Sequence, residues 1–195
     1  MEVSNADRVV FPDDGITKGE VVAYYETVAE RMMPFVAGRA LTVERYPKGI
    51  GSKGFMQKNA PDHFSDDLID RHEVPKEDGG TTTYPVVNRP GTIAAFANLG
   101  VITFHAPPSK VTDELGADWI IWDLDPSAGE FVMARRAAHE LKSVLEGFDI
   151  DTAVMTSGSN GYHLRARLDP VIPGDDAALI ARGTAALAEA SHPDL

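Results

Sequence analysis

The 195-residue chain contains no cysteine. Disulfide bridges and thiolate metal sites are therefore excluded, which is typical of proteins in a reducing compartment. The chain also lacks any apolar run near the roughly 20 residues that a membrane-spanning helix needs. Its first residues, 1–5, have neither the basic nor the apolar region of a secretory signal peptide. These absences predict a soluble cytoplasmic protein without a membrane partner.

Basic residues are scarce as well, because 18 Lys and Arg are outnumbered by 30 Asp and Glu. The resulting net charge of −12 disfavours tight nucleic-acid binding, which normally depends on clustered Lys and Arg. Net charge averages the whole surface, however, and does not describe a single groove. A solubilising acidic surface is the simplest interpretation. The length suits one sizeable domain, or one with two lobes, over residues 1–195.

Apolar residues recur at both helical and strand spacing and predict an α+β fold or an α/β sandwich. A Thr-x-x-Glu capping box at 17–20 predicts the start of an amphipathic helix that ends before Gly38. The nearly continuous apolar run 117–124 indicates a strand buried on both faces. Further helices are predicted over 92–99, from 131 and from 175, and further strands over 41–46, 54–58, 69–74, 81–87, 101–105, 152–156 and 162–168.

A pair of carboxylates, Asp123 and Asp125, stands at the end of that apolar strand. Side chains alternate along a strand, so both carboxylates are expected on one face. Two carboxylates this close repel each other unless a cation lies between them, and their hard oxygen atoms suit Mg²⁺ or Mn²⁺. The pattern also marks an ordinary strand end before the turn at Pro126. By itself it is a weak indication of a metal site.

A run of small residues separates the last two predicted strands. Gly158 and Gly161 would let backbone amides approach a phosphate closely. Beyond them, His163 shares a strand face with Arg165 and Arg167, which presents an imidazole and two guanidinium groups beside the turn. A hairpin turn with a solvated polar face explains the same residues equally well.

Together these segments resemble the archaeo-eukaryotic primase superfamily and, within it, the polymerase domain of bacterial ligase D and its stand-alone relatives. The resemblance implies a primase-like fold with a mixed central sheet flanked by helices. It also implies template-directed nucleotidyl transfer onto DNA ends or gaps in double-strand-break repair by end joining. The similar segments keep the same order, at 5–12, 17–19, 24–25, 54–58, 98–100, 104–105, 123–126 and 156–163.

The resemblance also assigns roles to individual residues. Asp123 and Asp125 would hold two catalytic divalent ions, Mn²⁺ or Mg²⁺. Ser157, His163 and a further histidine, His105, would contact the incoming nucleoside triphosphate, with Arg165 as an additional phosphate ligand. Without the family context, His105 is better interpreted as a hydrogen-bonded histidine of the core.

Two basic residues near the start match the pair that family members use to bind a 5′-phosphate on the downstream DNA strand. These are Arg8 and Lys18. Lys18 begins a helix, where its charge is unfavourable to the helix dipole unless an anion binds there. In the alternative interpretation, Arg8 pairs with Asp7 or Asp13, and Lys18 is an ordinary surface lysine.

The segment 54–58 matches the part of the family that contacts the template strand. Phe55 and Met56 correspond to residues that stack against template bases, and Lys58 follows them. Because neighbouring residues of a strand alternate, at least one of the two apolar side chains could belong to the core.

The chain departs from the family pattern at three places. His105 is followed by Ala-Pro-Pro-Ser-Lys rather than by Pro-Trp and a basic residue. Asn160 stands where Lys or Arg is common, which weakens triphosphate binding unless Arg165 or Lys110 compensates. A third metal-binding aspartate has no match before Leu195. We therefore expect a primase-polymerase domain that lacks the family's C-terminal portion and polymerises poorly or not at all.

The expected partners are DNA with gaps or broken ends bearing a 5′-phosphate, and an NTP or dNTP. The same resemblance adds ligase and nuclease domains, the end-binding Ku protein and a location at the nucleoid. The main alternative function is a DNA-end-binding module without polymerase activity. A nuclease or phosphatase that uses the same carboxylates is a third possibility, although it leaves the other similar segments unexplained.

Overall fold

Ten strands and four helices form in the parts of the chain that the computed structural model describes, which are residues 2–126, 131–158 and 161–192. They confirm the α+β class predicted from the sequence. The chain divides into two compact units, Met1–Pro107 and Pro108–Leu195. Within the described ranges, no helix is long and apolar enough to cross a bilayer.

The first unit combines three small antiparallel sheets with two helices. Strands β1 and β2 pair with each other, β4, β3 and β7 form a three-stranded sheet in that order, and β5 and β6 form a hairpin. The sequence patterns do not predict β1 and β2, because such short strands show no visible alternation. The elements in chain order are β1 (Val9–Phe11), β2 (Ile16–Thr17), α1 (Lys18–Val36), β3 (Thr42–Arg45), β4 (Phe55–Gln57), β5 (Asp70–Pro75), β6 (Thr81–Val86), α2 (Pro90–Asn98) and β7 (Val101–His105).

Helix α1 begins at the predicted capping box. The Thr17 hydroxyl accepts a hydrogen bond from the Glu20 backbone N–H at 3.3 Å, and the Glu20 carboxylate accepts one from the Thr17 N–H at 2.8 Å. The helix ends at Val36, and Gly38 follows with a φ of +70°, which glycine adopts without strain. The buried face of α1 packs on α2. The start of α1 is therefore fixed both locally and by tertiary packing.

The second unit contains β8 (Gly116–Leu124), α3 (Phe131–Glu146), β9 (Ala153–Thr156), β10 (Tyr162–Pro173) and α4 (Gly174–Ser191). Its sheet has the order β8-β10-β9, and both outer strands run antiparallel to β10. Strands β8 and β9 are consequently parallel to each other and are joined through α3, with β10 inserted between them. The strands of the described residues thus form four sheets, in which every strand pairing is antiparallel.

Strand β8 is buried on one face, so the prediction that both faces are buried is wrong. Ile120 and Trp122 lie on the covered face and pack with residues of α3 and α4 in one apolar cluster. On the other face, Ile121 is 37% exposed. The run is apolar throughout because the open face also carries Trp119. An arginine side chain of β10 covers the Trp119 ring, and within the described residues no second core layer does so.

Candidate functional site

The Asp123 carboxylate lies near the C-terminal end of β8. It stands opposite His163 of β10, and directly paired residues project from the same face of an antiparallel sheet. The His163 Nε2 atom is 3.0 Å from Asp123 Oδ1, while 62% of the Asp123 side chain stays exposed. The imidazole therefore orients one carboxylate oxygen, and solvent or a ligand can reach the rest of the group.

Asp125 follows β8 and lies beside the turn between β9 and β10. A Cβ atom at Gly161 would overlap the Asp125 carboxylate and the Leu124 carbonyl oxygen, so this close approach requires glycine. Ser157 closes the turn: its N–H donates to the Gly161 carbonyl, and its hydroxyl accepts from the Gly161 N–H, both at 3.0 Å. The Gly161 N–H is thus bonded within the turn. The approach of other backbone amides of the turn to a phosphate stays a prediction. Asn160 lies outside the described residues.

Arg165 projects from the same sheet face as His163, as strand alternation predicts. Its guanidinium carbon lies 5.0 Å from the centre of the Trp119 ring, and one terminal nitrogen lies 4.0 Å from Met155 Sδ. Stacking on an aromatic ring uses the face of a guanidinium group and leaves its N–H edge for hydrogen bonds. The structure therefore brings the two aspartates, Ser157, His163 and Arg165 together at one end and one face of the sheet of the second unit.

The donor set suits a hard divalent cation. Asp123 and Asp125 supply carboxylate oxygens, which Mg²⁺ and Mn²⁺ prefer, and the exposure of Asp123 leaves room for water and phosphate ligands. In the described part of the chain, no group of three or more His, Asp or Glu side chains is arranged to hold a metal ion. The residues therefore fit a cation that is shared between two carboxylates and the phosphates of a substrate, as is usual for Mg²⁺.

Arg8 and Lys18 lie together in the first unit. The Lys18 backbone N–H donates to the Arg8 carbonyl oxygen at 2.8 Å. Lys18 is only 3% exposed, so the alternative of an ordinary surface lysine is wrong. Its ammonium group donates to the carbonyl and hydroxyl oxygens of Ser4, at 2.6 and 2.8 Å. Burial and, second, the positive charge of Arg8 lower the pKa of Lys18 below its ordinary value.

The guanidinium group of Arg8 does not use all of its hydrogen-bond donors. Its Nε atom is buried and has no hydrogen-bond partner among the described residues. Two adjacent cations with a depressed lysine pKa form a local excess of positive charge, which a bound anion would relieve. This surrounding suits a terminal phosphate, and the assignment of Arg8 and Lys18 to a 5′-phosphate stays a prediction.

Phe55 and Met56 lie on the edge strand β4 and point to opposite faces. They are 47% and 50% exposed, so the alternative that one of them belongs to the core is wrong. The guanidinium of Arg45, opposite Phe55 on β3, lies 5.4 Å from the centre of the Phe55 ring. These residues and Lys58 line a groove of ≈ 550 Å³ in the first unit. Sequence reasoning missed Arg45, whose position in a short strand gives no signal of its contacts.

His105 ends β7, where it pairs with Thr42 of β3 and is exposed. The alternative of a core histidine is therefore wrong. His105 belongs to the first unit, whereas His163 and Arg165 belong to the second. Its contact with a nucleotide stays a prediction.

Comparison with known proteins identifies the family of the chain. The family model described as LigD, primase-polymerase domain, matches residues 17–195. The chain belongs to this family. The resemblance found from the sequence motifs is thereby confirmed. The two carboxylates, the histidine and the pair of Arg8 with the buried Lys18 are thus features of a LigD primase-polymerase chain.

Three similar proteins illustrate the relationship. The multifunctional non-homologous end joining protein LigD of Mycolicibacterium smegmatis is 32% identical over 198 residues, covering 100% of this chain. The bifunctional non-homologous end joining protein LigD of Bacillus subtilis is 32% identical over 171 residues, covering 87% of it. The solved polymerase domain of Mycobacterium tuberculosis ligase D in complex with DNA superposes with a TM-score of 0.90 at 29% identity, over 100% of this chain.

The chain is shorter than each of these proteins. It spans 26% of the M. smegmatis protein, 27% of the B. subtilis protein and 70% of the solved polymerase domain. The comparisons therefore establish the family and the fold of the chain.

Proposed function

We propose that the chain is a nucleotidyltransferase that extends a primer strand at DNA gaps or broken ends during repair by end joining. One observation carries this proposal: the exposed Asp123 carboxylate is oriented by His163 Nε2 at 3.0 Å, beside Asp125. Membership of the LigD primase-polymerase family supports the reaction class. The DNA in the solved relative supports the substrate class.

In this reaction the primer 3′-hydroxyl attacks the α-phosphate of a nucleoside triphosphate. A new P–O bond forms, the bond to the β-phosphate breaks and pyrophosphate leaves. Asp123 and Asp125 would hold Mg²⁺ or Mn²⁺. When bound, such ions lower the pKa of the attacking hydroxyl and neutralise charge on the phosphates.

The side chains around the carboxylates bind and orient the triphosphate. The guanidinium of Arg165, which lies over the Trp119 ring, would offer bidentate hydrogen bonds to phosphate oxygens. His163 holds Asp123 in place and adds an imidazole next to the triphosphate, and Ser157 shapes the adjoining turn. His105 is a further proposed nucleotide contact. These groups restrict the geometry of the reacting atoms, which supplies much of the rate enhancement in phosphoryl transfer.

The first unit provides the proposed DNA contacts. Arg8 and Lys18 would bind the 5′-phosphate of the downstream strand, since both are cationic and close together. Phe55, Met56 and Lys58 would contact the template strand through stacking and through charge. The names of the relatives include non-homologous end joining, which supports this repair process. Ligase and nuclease domains, and Ku, are proposed as partners from the sequence resemblance alone.

Primer extension on a gapped duplex with Mn²⁺ tests the proposal directly. The wild-type chain should add a templated nucleotide slowly, as expected with only two matched carboxylates, and Asp123→Asn should abolish this addition while preserving the melting temperature. Asp151→Asn, an exposed aspartate elsewhere in the second unit, is the control and should extend like wild type. Measurable extension that is equal in wild type and Asp123→Asn would contradict the assignment.

A DNA-end-binding module without polymerase activity is the second candidate. It is favoured by one observation: among the described residues, Asp123 and Asp125 are not joined by a third side chain into a group that could hold a metal ion. This function predicts a preference for 5′-phosphorylated ends together with no nucleotide addition at any Mn²⁺ concentration. The same extension assay, combined with an end-binding titration, separates the two candidates.

A further inference from the structure

The turn that ends α2, Asn98–Gly100, resembles the family in sequence, yet none of its groups takes part in the proposed chemistry. It lies in the first unit. Its hydrogen bonds lead to two proposed DNA contacts, to Lys18 through Ser4 and to Phe55 through Arg45. We propose that this turn is a shared anchor that positions the phosphate-binding Lys18 and the base-stacking Phe55. The inference rests on the proposed function, because it assumes that both residues contact DNA.

Arg45 connects the turn to Phe55. Its Nε and one terminal nitrogen donate to the Leu99 carbonyl oxygen at 3.1 and 2.9 Å, and the other terminal nitrogen donates to Gln57 Oε1 at 2.7 Å. Leu99 follows the last residue of α2, a helix without a basic residue in its last turn, so its carbonyl carries the negative end of the helix dipole. The guanidinium plane is thus fixed at two edges.

The fixed guanidinium supports an otherwise loosely held ring. Phe55 is half exposed on an edge strand, and the Arg45 guanidinium lies 5.4 Å from its ring centre. A cation over one face of an aromatic ring attracts it and restricts its rotation. The ring would therefore meet a template base in one orientation, with less conformational entropy to lose on binding.

Asn98 connects the same turn to Lys18. Its side-chain oxygen accepts hydrogen bonds from the Ser4 N–H at 3.2 Å and from the Ser4 hydroxyl at 3.4 Å, and its amide nitrogen donates to the Glu2 carbonyl at 3.0 Å. Ser4 in turn supplies both oxygens that hold the Lys18 ammonium. Asn98 thereby fixes the segment that orients the buried cation.

Gly100 sets the geometry that both connections share. Its φ is +83°, and a Cβ atom there would lie 3.2 Å from the Tyr46 carbonyl oxygen and 3.3 Å from Pro47 Cα. The Tyr46 N–H donates to the Gly100 carbonyl at 2.7 Å, which ties the turn to the residue that follows Arg45. A larger residue at this position would strain the backbone and displace the turn from β3.

Two affinity ratios, each measured on one protein, test the anchor. The first ratio compares a gapped duplex that has a base at the first unpaired template position with one that is abasic there. The second compares a gap bearing a 5′-phosphate with one bearing a 5′-hydroxyl. Because each ratio uses the same protein sample, a change in the folded fraction or in overall affinity cancels. Quenching of 2-aminopurine at the template position gives a spectroscopic check of stacking.

The variants should affect the two ratios selectively. Arg45→Lys loses the fork that bonds Leu99 and Gln57 at once and so no longer fixes the cation over the Phe55 ring. It should lower the base ratio about two- to fivefold, a change within the range of one cation–π contact, and keep the phosphate ratio. Asn98→Ala should lower the phosphate ratio about two- to tenfold, the effect of a lost hydrogen bond, and keep the base ratio. Gly100→Ala should lower both. Arg89→Lys, at the other end of α2 and paired with Asp70 at 3.1 Å, should change neither.

The shared anchor is overturned if Arg45→Lys or Asn98→Ala leaves its own ratio at the wild-type value. It is also overturned if a folded Gly100→Ala retains both ratios, or if Arg89→Lys lowers them as much. Should Gly100→Ala fail to fold, the two selective variants decide. Phe55→Ala and Lys18→Met test the underlying assumption: if they leave the base and phosphate ratios unchanged, the proposed DNA contacts themselves are wrong.

Discussion

The acidic pair of the second unit and the basic pair of the first unit differ in their contact with water. The Asp123 side chain is 62% exposed, whereas Lys18 is 3% exposed and has a lowered pKa. Water screens the repulsion between the two carboxylates, so the site tolerates the absence of a cation. Lys18 instead bears a desolvation cost in every folded molecule.

The difference indicates how each site meets its ligand. An exposed carboxylate pair can take up a hydrated ion and share it with substrate phosphates, as Mg²⁺ sites commonly do. In the basic pair, the buried Lys18 ammonium is already held by Ser4 before an anion arrives, so binding would cost less conformational entropy. Under the proposed function, the second unit would exchange ions and nucleotides, and the first unit would hold one end of the DNA.

The largest effect is expected at the carboxylates. Asp123→Asn or Asp125→Asn should weaken Mn²⁺ binding in the presence of nucleotide by at least about 10- to 100-fold, the range that loss of an outer-shell partner already costs. The melting temperature should change little, because the substitution relieves repulsion in an exposed pair. Calorimetric titration checks the affinity. Equal Mn²⁺ affinity in wild type and both variants would show that the acidic pair is not the metal site.

The next effect concerns the buried cation. Lys18→Met, which keeps most of the side-chain volume, should reduce the preference for a 5′-phosphate by about tenfold or more, since a charge-assisted hydrogen bond contributes roughly 1.5–3 kcal/mol. The preference of wild type should fall as salt rises. Fluorescence anisotropy with phosphorylated and hydroxyl gaps measures both. Lys142→Met, on α3, is the control; a wild type without any phosphate preference at low salt would refute the role.

The two apolar residues of β4 sharpen the comparison further. They point to opposite faces, so a single template base can stack on only one of them. Phe55→Ala should weaken gap binding by roughly 1–3 kcal/mol, the value of one base–aromatic stack. Met56→Ala should cost less, because Met lacks an aromatic face. Binding titrations of the two variants decide, and equal losses would show that the opposite faces of β4 contribute alike.

The smallest effect is a pH dependence that follows from the lowered pKa of Lys18. Phosphate binding needs the ammonium form, which is present below the folded-state pKa and lost as pH rises through it. As pH rises, the preference for a 5′-phosphate should therefore begin to fall before pH 10.5, the ordinary pKa of lysine, is reached. Titrations repeated from pH 7 to 10 measure this fall. In that window the unfolded chain binds more protons, so the free energy of unfolding without DNA should increase with pH. A preference that is constant to pH 10 would place Lys18 outside the phosphate contact.

Local patterns were sufficient for most elements of the fold. The Thr17–Glu20 capping box located the start of α1, and alternation correctly placed His163 and Arg165 on one face of β10. Burial was harder to infer, because an apolar run does not reveal what covers each face. The open face of β8 and the burial of Lys18 were both unexpected for this reason.

The sequence by itself determined the family, the order of the elements and the residue types available for chemistry, since these depend on short-range spacing. Tertiary structure decided which groups meet. It placed Gly161 against Asp125, Trp119 beneath Arg165, and the end of α2 between Lys18 and Arg45. These contacts join residues far apart in the chain, and they follow from strand register and helix packing, which periodicity alone does not specify.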